Sequence, residues 1–152
     1  MGLDISHNAF KGKYSDFNRL RQSVAWAIGG SYPPHWHRDS SGALIRDIRG
    51  MLEIDGSLNN DMWYGPAGHN IRESHPGLFI FLSHSDCDGE LSPQECIAVA
   101  NELEAILPQI DALPISAVGR RILEQGGAGA VLRKFIAGCR TAAMNNEPLL
   151  FR

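Results

Sequence analysis

The stretch that decides how this chain is read is Leu78-Phe79-Ile80-Phe81-Leu82-Ser83-His84-Ser85-Asp86-Cys87-Asp88-Gly89-Glu90-Leu91-Ser92-Pro93-Gln94-Glu95. It opens with five consecutive apolar residues after Pro76-Gly77. A short apolar run bounded by turn residues reads as a buried central strand. Ser92-Pro93-Gln94-Glu95 closes the stretch as a capping box. Ser92 caps, Pro93 takes the first helical position, and Glu95 reaches back to the cap amide. The helix that follows carries Cys96, Val99, Ala100, Leu103, Ile106 and Leu107 at helical spacing. An acidic, glycine-bent turn therefore joins a strand to a helix.

That turn resembles the twelve-position calcium loop of an EF-hand. His84 stands at position one, Asp86 and Asp88 at three and five, Gly89 at six, Ser92 at nine and Glu95 at twelve. Position one departs from the pattern, since imidazole is a poor ligand for a hard cation. The strand before the turn departs too, because an EF-hand enters its loop from a helix. The resemblance implies a cation site built from His84, Asp86, Asp88, Glu90 and Glu95. Calcium is the expected ion, or zinc through His84. Asp-Gly is also a common turn pair, and the capping box alone explains Ser92 to Glu95, so a purely structural turn stands beside the metal. Cys87 is a poor nucleophile in this setting, because surrounding acids raise a thiol pKa.

Working outward toward the N-terminus, Leu3 and Ile5 alternate with Asp4 and Ser6 as in a short strand. His7 then leads to Phe10 and a Lys11-Gly12-Lys13 turn. If this strand runs beside the central one, Asp4 and His7 reach the same edge. Asp4, His7 and Trp36 thus form a possible additional site. A helix follows, capped at Ser15, with Phe17, Leu20, Val24, Ala27 and Ile28 as its stripe and Arg19 and Arg21 off it. His35-Trp36-His37, after two prolines, reads as an aromatic loop. A weak helix fits Leu44, Ile45, Ile48, Met51 and Leu52. From Asp55 to Gly77 no element is clear, and Trp63-Tyr64 lies in that span.

Toward the C-terminus, a shorter helix fits Ile115 to Gln125. A last one fits Ala128 to Met144, with Val131, Leu132, Phe135, Ile136, Cys139 and Ala143 inward. The fold expected is α+β, with four or five helices around a short sheet in one domain spanning 1–152.

With 152 residues, 43% of them hydrophobic, the chain can bury a core without disulfides or a structural metal. Three cysteines with no CxxC spacing suit a reducing compartment. No signal peptide and no membrane span are expected, and the location expected is cytoplasmic. The net charge of -3 gives a nucleic-acid partner no help. Between Arg72 and Arg120 there is no lysine or arginine, whereas the segment from Arg120 onward is basic. Such a split can place the basic last helix across the acidic one.

The opening Met1-Gly2-Leu3-Asp4-Ile5-Ser6-His7, with Tyr14-Ser15-x-Phe17 and His84-Ser85-Asp86-Cys87-Asp88-Gly89, resembles small uncharacterised proteins of bacteria and their prophages. That resemblance implies no activity, cofactor or residue role. Three functions follow from the residues: a cation-binding domain, a metal-dependent hydrolase of a nucleotide-like or phosphorylated small molecule, and a non-enzymatic interaction or regulatory protein.

Overall fold

The computed structural model describes residues 2–28, 35–38, 44–48, 51–53, 74–84, 88–115 and 118–152. Strands β1 (Gly2–Ile5) and β2 (Phe10–Lys13) form a hairpin in the register Gly2↔Lys13 to Ile5↔Phe10. Lys11-Gly12-Lys13 is therefore strand rather than turn. The reversal is Ser6 to Ala9, closed by Ala9 N donating to Ser6 O at 3.1 Å. Its central residues, His7 and Asn8, have φ of 56° and 57°. Two positive φ values in a two-residue reversal match the right-handed twist of the strands it joins.

Helix α1 (Tyr14–Ala27) follows at once. Its first-turn Asp16 accepts from Lys13 N at 3.3 Å, so the cap falls two residues before Ser15. Strands β3 (His35–Arg38), β4 (Leu44–Ile48) and β5 (Met51–Glu53) make an antiparallel sheet in the order β3-β4-β5. The weak helix expected over Leu44 to Leu52 is thus two strands, and part of the expected aromatic loop is a third. The apolar spacing there satisfies both periods. Ile48 pairs with Met51, and Arg46 with Glu53, as antiparallel strands.

The larger correction lies at the decisive stretch. Leu78 to Leu82 sits in a helix, α2 (Pro76–Ser83), not a strand. Leu78, Phe81 and Leu82 are buried at helical spacing. A run of five apolar residues cannot distinguish a buried strand from a buried helix. What decides is a distant carboxylate. Glu102 accepts from Gly77 N at 2.6 Å and from Leu78 N at 3.2 Å, satisfying two amides at the first turn of α2.

After the acidic turn come β6 (Glu90–Leu91) and α3 (Pro93–Ala105). Then follow α4 (Leu107–Asp111), α5 (Arg120–Glu124), α6 (Ala128–Met144) and β7 (Leu149–Leu150). The last helix has its expected bounds. The expected 115–125 helix shrinks to α5. Among the described residues there are six helices and three small antiparallel sheets, where four or five helices around one sheet were expected. Helical packing dominates because α3 lies along α6 and α2 packs on α3.

β6 pairs with β7, and a bridge between Ile5 and Phe151 sets this ribbon beside the first hairpin. Asp4 and Arg152 exchange both main-chain hydrogen bonds, at 2.8 and 3.0 Å. Phe17 is the hub of the core. Its ring lies 5.1 Å from that of Phe10, 5.6 Å from Phe81, 6.1 Å from Phe135 and 6.0 Å from Phe151. The basic helix does lie across the acidic one, since Arg140 bonds Asn101 at 3.1 Å and Glu104 at 2.6 Å. No helix among the described residues is long and apolar enough to cross a membrane.

Candidate functional site

From Gly89 onward the acidic turn is built as its sequence requires. Gly89 takes a φ of +93°, which a side-chain-bearing residue adopts only with strain. Ser92 Oγ accepts from Glu95 N at 3.1 Å, and Glu95 Oε1 accepts from Ser92 N at 2.9 Å. The turn is entered from a helix and leaves into a helix, where a strand was expected before it.

The expected chemistry does not follow from the shape. Among the described residues no group of three or more His, Cys, Asp or Glu side chains is placed to hold a metal ion. The expectation of bound calcium or zinc is therefore corrected. Glu95, the residue meant to close the cage, spends a carboxylate oxygen on the helix cap. The His84 ring lies against Phe151, with centroids 4.3 Å apart, and its Nε2 meets Glu90 O at 3.2 Å. Asp88 and Glu90 are exposed. Asp86 and Cys87 lie outside the described residues, as does Trp63-Tyr64.

Beneath the turn lies a charge that sequence periodicity missed. Arg21, expected off the apolar stripe of α1, is 1% exposed. Its guanidinium sits 4.6 Å from the Phe17 ring centroid and 5.9 Å from that of Phe81. Nη2 donates to His84 O at 2.6 Å. The first residue of the turn is thus held by a cation belonging to the chain itself. Only the packing of α1 against α2 reveals this.

The other expected set fares differently. Asp4 and His7 do come together, lining an open pocket of about 430 Å³ with Ser6, Asn8, Lys11 and Arg152. Trp36 sits in β3 opposite Arg46, and its side chain lies outside the described residues. His7 is held at both ring nitrogens: Nδ1 is 3.0 Å from Ser6 Oγ and Nε2 is 3.3 Å from Glu147 Oε2. Its side chain is 14% exposed, while that of Glu147 is 55% exposed. Ser6 Oγ also accepts from Leu150 N at 2.8 Å, replacing a main-chain acceptor where the ladder ends. Glu147, Lys11 and Arg152 were not anticipated. Glu147 lies at the far end of the chain, and no local signal could have named it.

The Ser6–His7–Glu147 chain has the composition of a nucleophilic triad but not its working form. The Ser6 hydroxyl is engaged by His7 and by the Leu150 amide. Ser74 and His75 make the same neighbour contact at 2.9 Å, which marks it as a local Ser-His habit. The arrangement orients an imidazole at the rim of a polar pocket and suits binding better than acyl transfer. Comparison with known protein families, with curated proteins and with solved structures returned no match.

Proposed function

We propose that this chain is a non-enzymatic regulatory or interaction module that binds a small anion at the β1–β2 reversal. The observation that carries the reading is the convergence of Lys11, Arg152, His7 and Asn8 on one pocket of about 430 Å³. Two cations and an amide side chain can meet a carboxylate or phosphate, with the guanidinium able to bond it at two atoms. Asp4 on the same wall repels a second negative group and so favours a compact ligand.

The test is a titration with inorganic phosphate followed by amide and His7 ring resonances. Shifts confined to residues 6–11 and 152 are expected, with binding weakened at least tenfold in Lys11→Ala/Arg152→Ala, a loss of roughly 1.4 kcal/mol. Unmoved resonances, or equal shifts in the double variant, would defeat the reading.

A further inference from the structure

Lys11, Asp4 and Arg152 stand in one row across three neighbouring segments of extended chain. Asp4 is the register partner of Lys11 in the hairpin, and on its other side it exchanges both main-chain hydrogen bonds with Arg152. Residues directly opposite each other in antiparallel strands project from the same face. Leu3 and Ile5, on either side of Asp4, are buried in the core, so the row stands on the outer face. All three residues line the pocket of about 430 Å³. Opposite charges facing each other across strands attract, yet among the described residues no ion pair joins Asp4 to Lys11 or to Arg152. Glu147, the acid beside His7, is engaged with that imidazole. The pocket thus offers one carboxylate between two cations, none of them bound to another.

A simple anion uses the two cations and meets the Asp4 carboxylate as a repulsion. A ligand with a positive group beside its negative one turns that repulsion into an attraction. We propose that the ligand of the β1–β2 pocket is the zwitterion of a free α-amino acid, an inference that rests on the anion reading above and narrows it. The α-carboxylate takes the Arg152 guanidinium, which can bond both of its oxygens, with Lys11 as the second cation. The α-ammonium takes the Asp4 carboxylate. The two groups of the ligand are separated by a single carbon, and their partners stand on adjacent segments about 5 Å apart, so both can be met at once. A peptide terminus carries only one of the two charges, and inorganic phosphate lacks the positive one. Neither satisfies Asp4. The pocket volume falls in the lower part of the roughly 300–1,000 Å³ found for small-ligand sites, which leaves room for an amino-acid side chain.

The experiment titrates the full chain with L-alanine, propionate and ethylamine at neutral pH and fixed ionic strength, followed by the amide resonances of residues 4–11 and 152. Propionate is alanine without its ammonium, and ethylamine is alanine without its carboxylate. L-Alanine should bind at least tenfold more tightly than propionate, and ethylamine more weakly than either. In Asp4→Asn the advantage of alanine should vanish, while propionate binds as well as before or better. Equal affinity for alanine and propionate in the parent chain, or an Asp4→Asn variant that keeps the preference for alanine, would overturn the proposal. The parent comparison needs no variant, so it decides even if Asp4→Asn fails to fold. Phosphate and propionate that shift these resonances, with no gain from the ammonium, would remove the amino acid and leave the anion site standing. Silence from phosphate, propionate and alanine alike would remove both.

Discussion

An arginine with 1% of its surface exposed must be accounted for by its neighbours, and those of Arg21 include two phenyl rings and a carbonyl. Removing it leaves the His84 carbonyl without this donor and a hole beneath the acidic turn. Arg21→Ala should therefore lose about 3 kcal/mol, read as a lower urea midpoint. Arg21→Lys should recover only part of that, since an ammonium lacks the planar face that lies over Phe17. Gly77 sits at the opposite extreme. A methyl group there would press on the Ala98 carbonyl and lie 2.5 Å from Glu102 Oε2. Gly77→Ala should cost about 1–3 kcal/mol through overpacking, although alanine is the better helix former. A melting midpoint unchanged or raised by this variant would contradict the close packing of α2 on α3.

At the scale of elements, the interesting contacts are those that one helix makes with the end of another. Glu102 belongs to α3 but caps α2. Glu102→Gln keeps an acceptor and loses the charge that favours a helix N-terminus, at a cost of about 1 kcal/mol. Glu102→Ala loses both and should cost about 2 kcal/mol, with amide exchange fastest at residues 77 and 78. Asp111 and Arg133 tie α4 to α6 at 2.8 Å. The Arg133 guanidinium holds the Asp111 carboxyl below the usual carboxylate range. Stability from this pair is present above the ordinary carboxylate pKa of about 3.9 and is lost as pH falls through the lower folded value. Both partners are about half exposed, so the gain is small. Asp111→Asn should lower the urea midpoint slightly at neutral pH and leave it equal to the parent once pH is below the folded value. A difference that grows with acidity would have the wrong sign.

For the whole molecule, the decisive feature is that the C-terminal ribbon is hydrogen-bonded to the N-terminal hairpin. Asp4 and Arg152 pair, Ser6 accepts from Leu150, and Phe151 reaches the Phe17 hub. Removing residues 149–152 should strip Leu149 and Phe151 from the core at a cost of about 5 kcal/mol. It should also release His84 from Phe151 and open the pocket at His7. A broadened near-ultraviolet spectrum and loss of phosphate-induced shifts are the expected readouts. Closing so long a loop also makes this sheet a late event, so Phe151→Ala should speed unfolding more than it slows folding.

Chemistry local to a few residues was legible without any structure. The capping box at Ser92–Glu95, the glycine bend at Gly89, the bounds of the Ala128–Met144 helix and the burial of its stripe are set by spacing and side-chain type alone, since each interaction lies within one turn. What required the folded chain was every contact between residues far apart. The run Leu78–Leu82 is equally apolar as strand or helix, and the Glu102 carboxylate tips it to helix. Arg21 sits beside an apolar stripe, and two aromatic rings draw it inside. Asp4 and His7 were named from the sequence; Lys11 joins them through the hairpin register, but Glu147 and Arg152 do so only because the far end of the chain packs against the first hairpin. Periodicity reports which face of an element is apolar, and only packing reports what that face will meet.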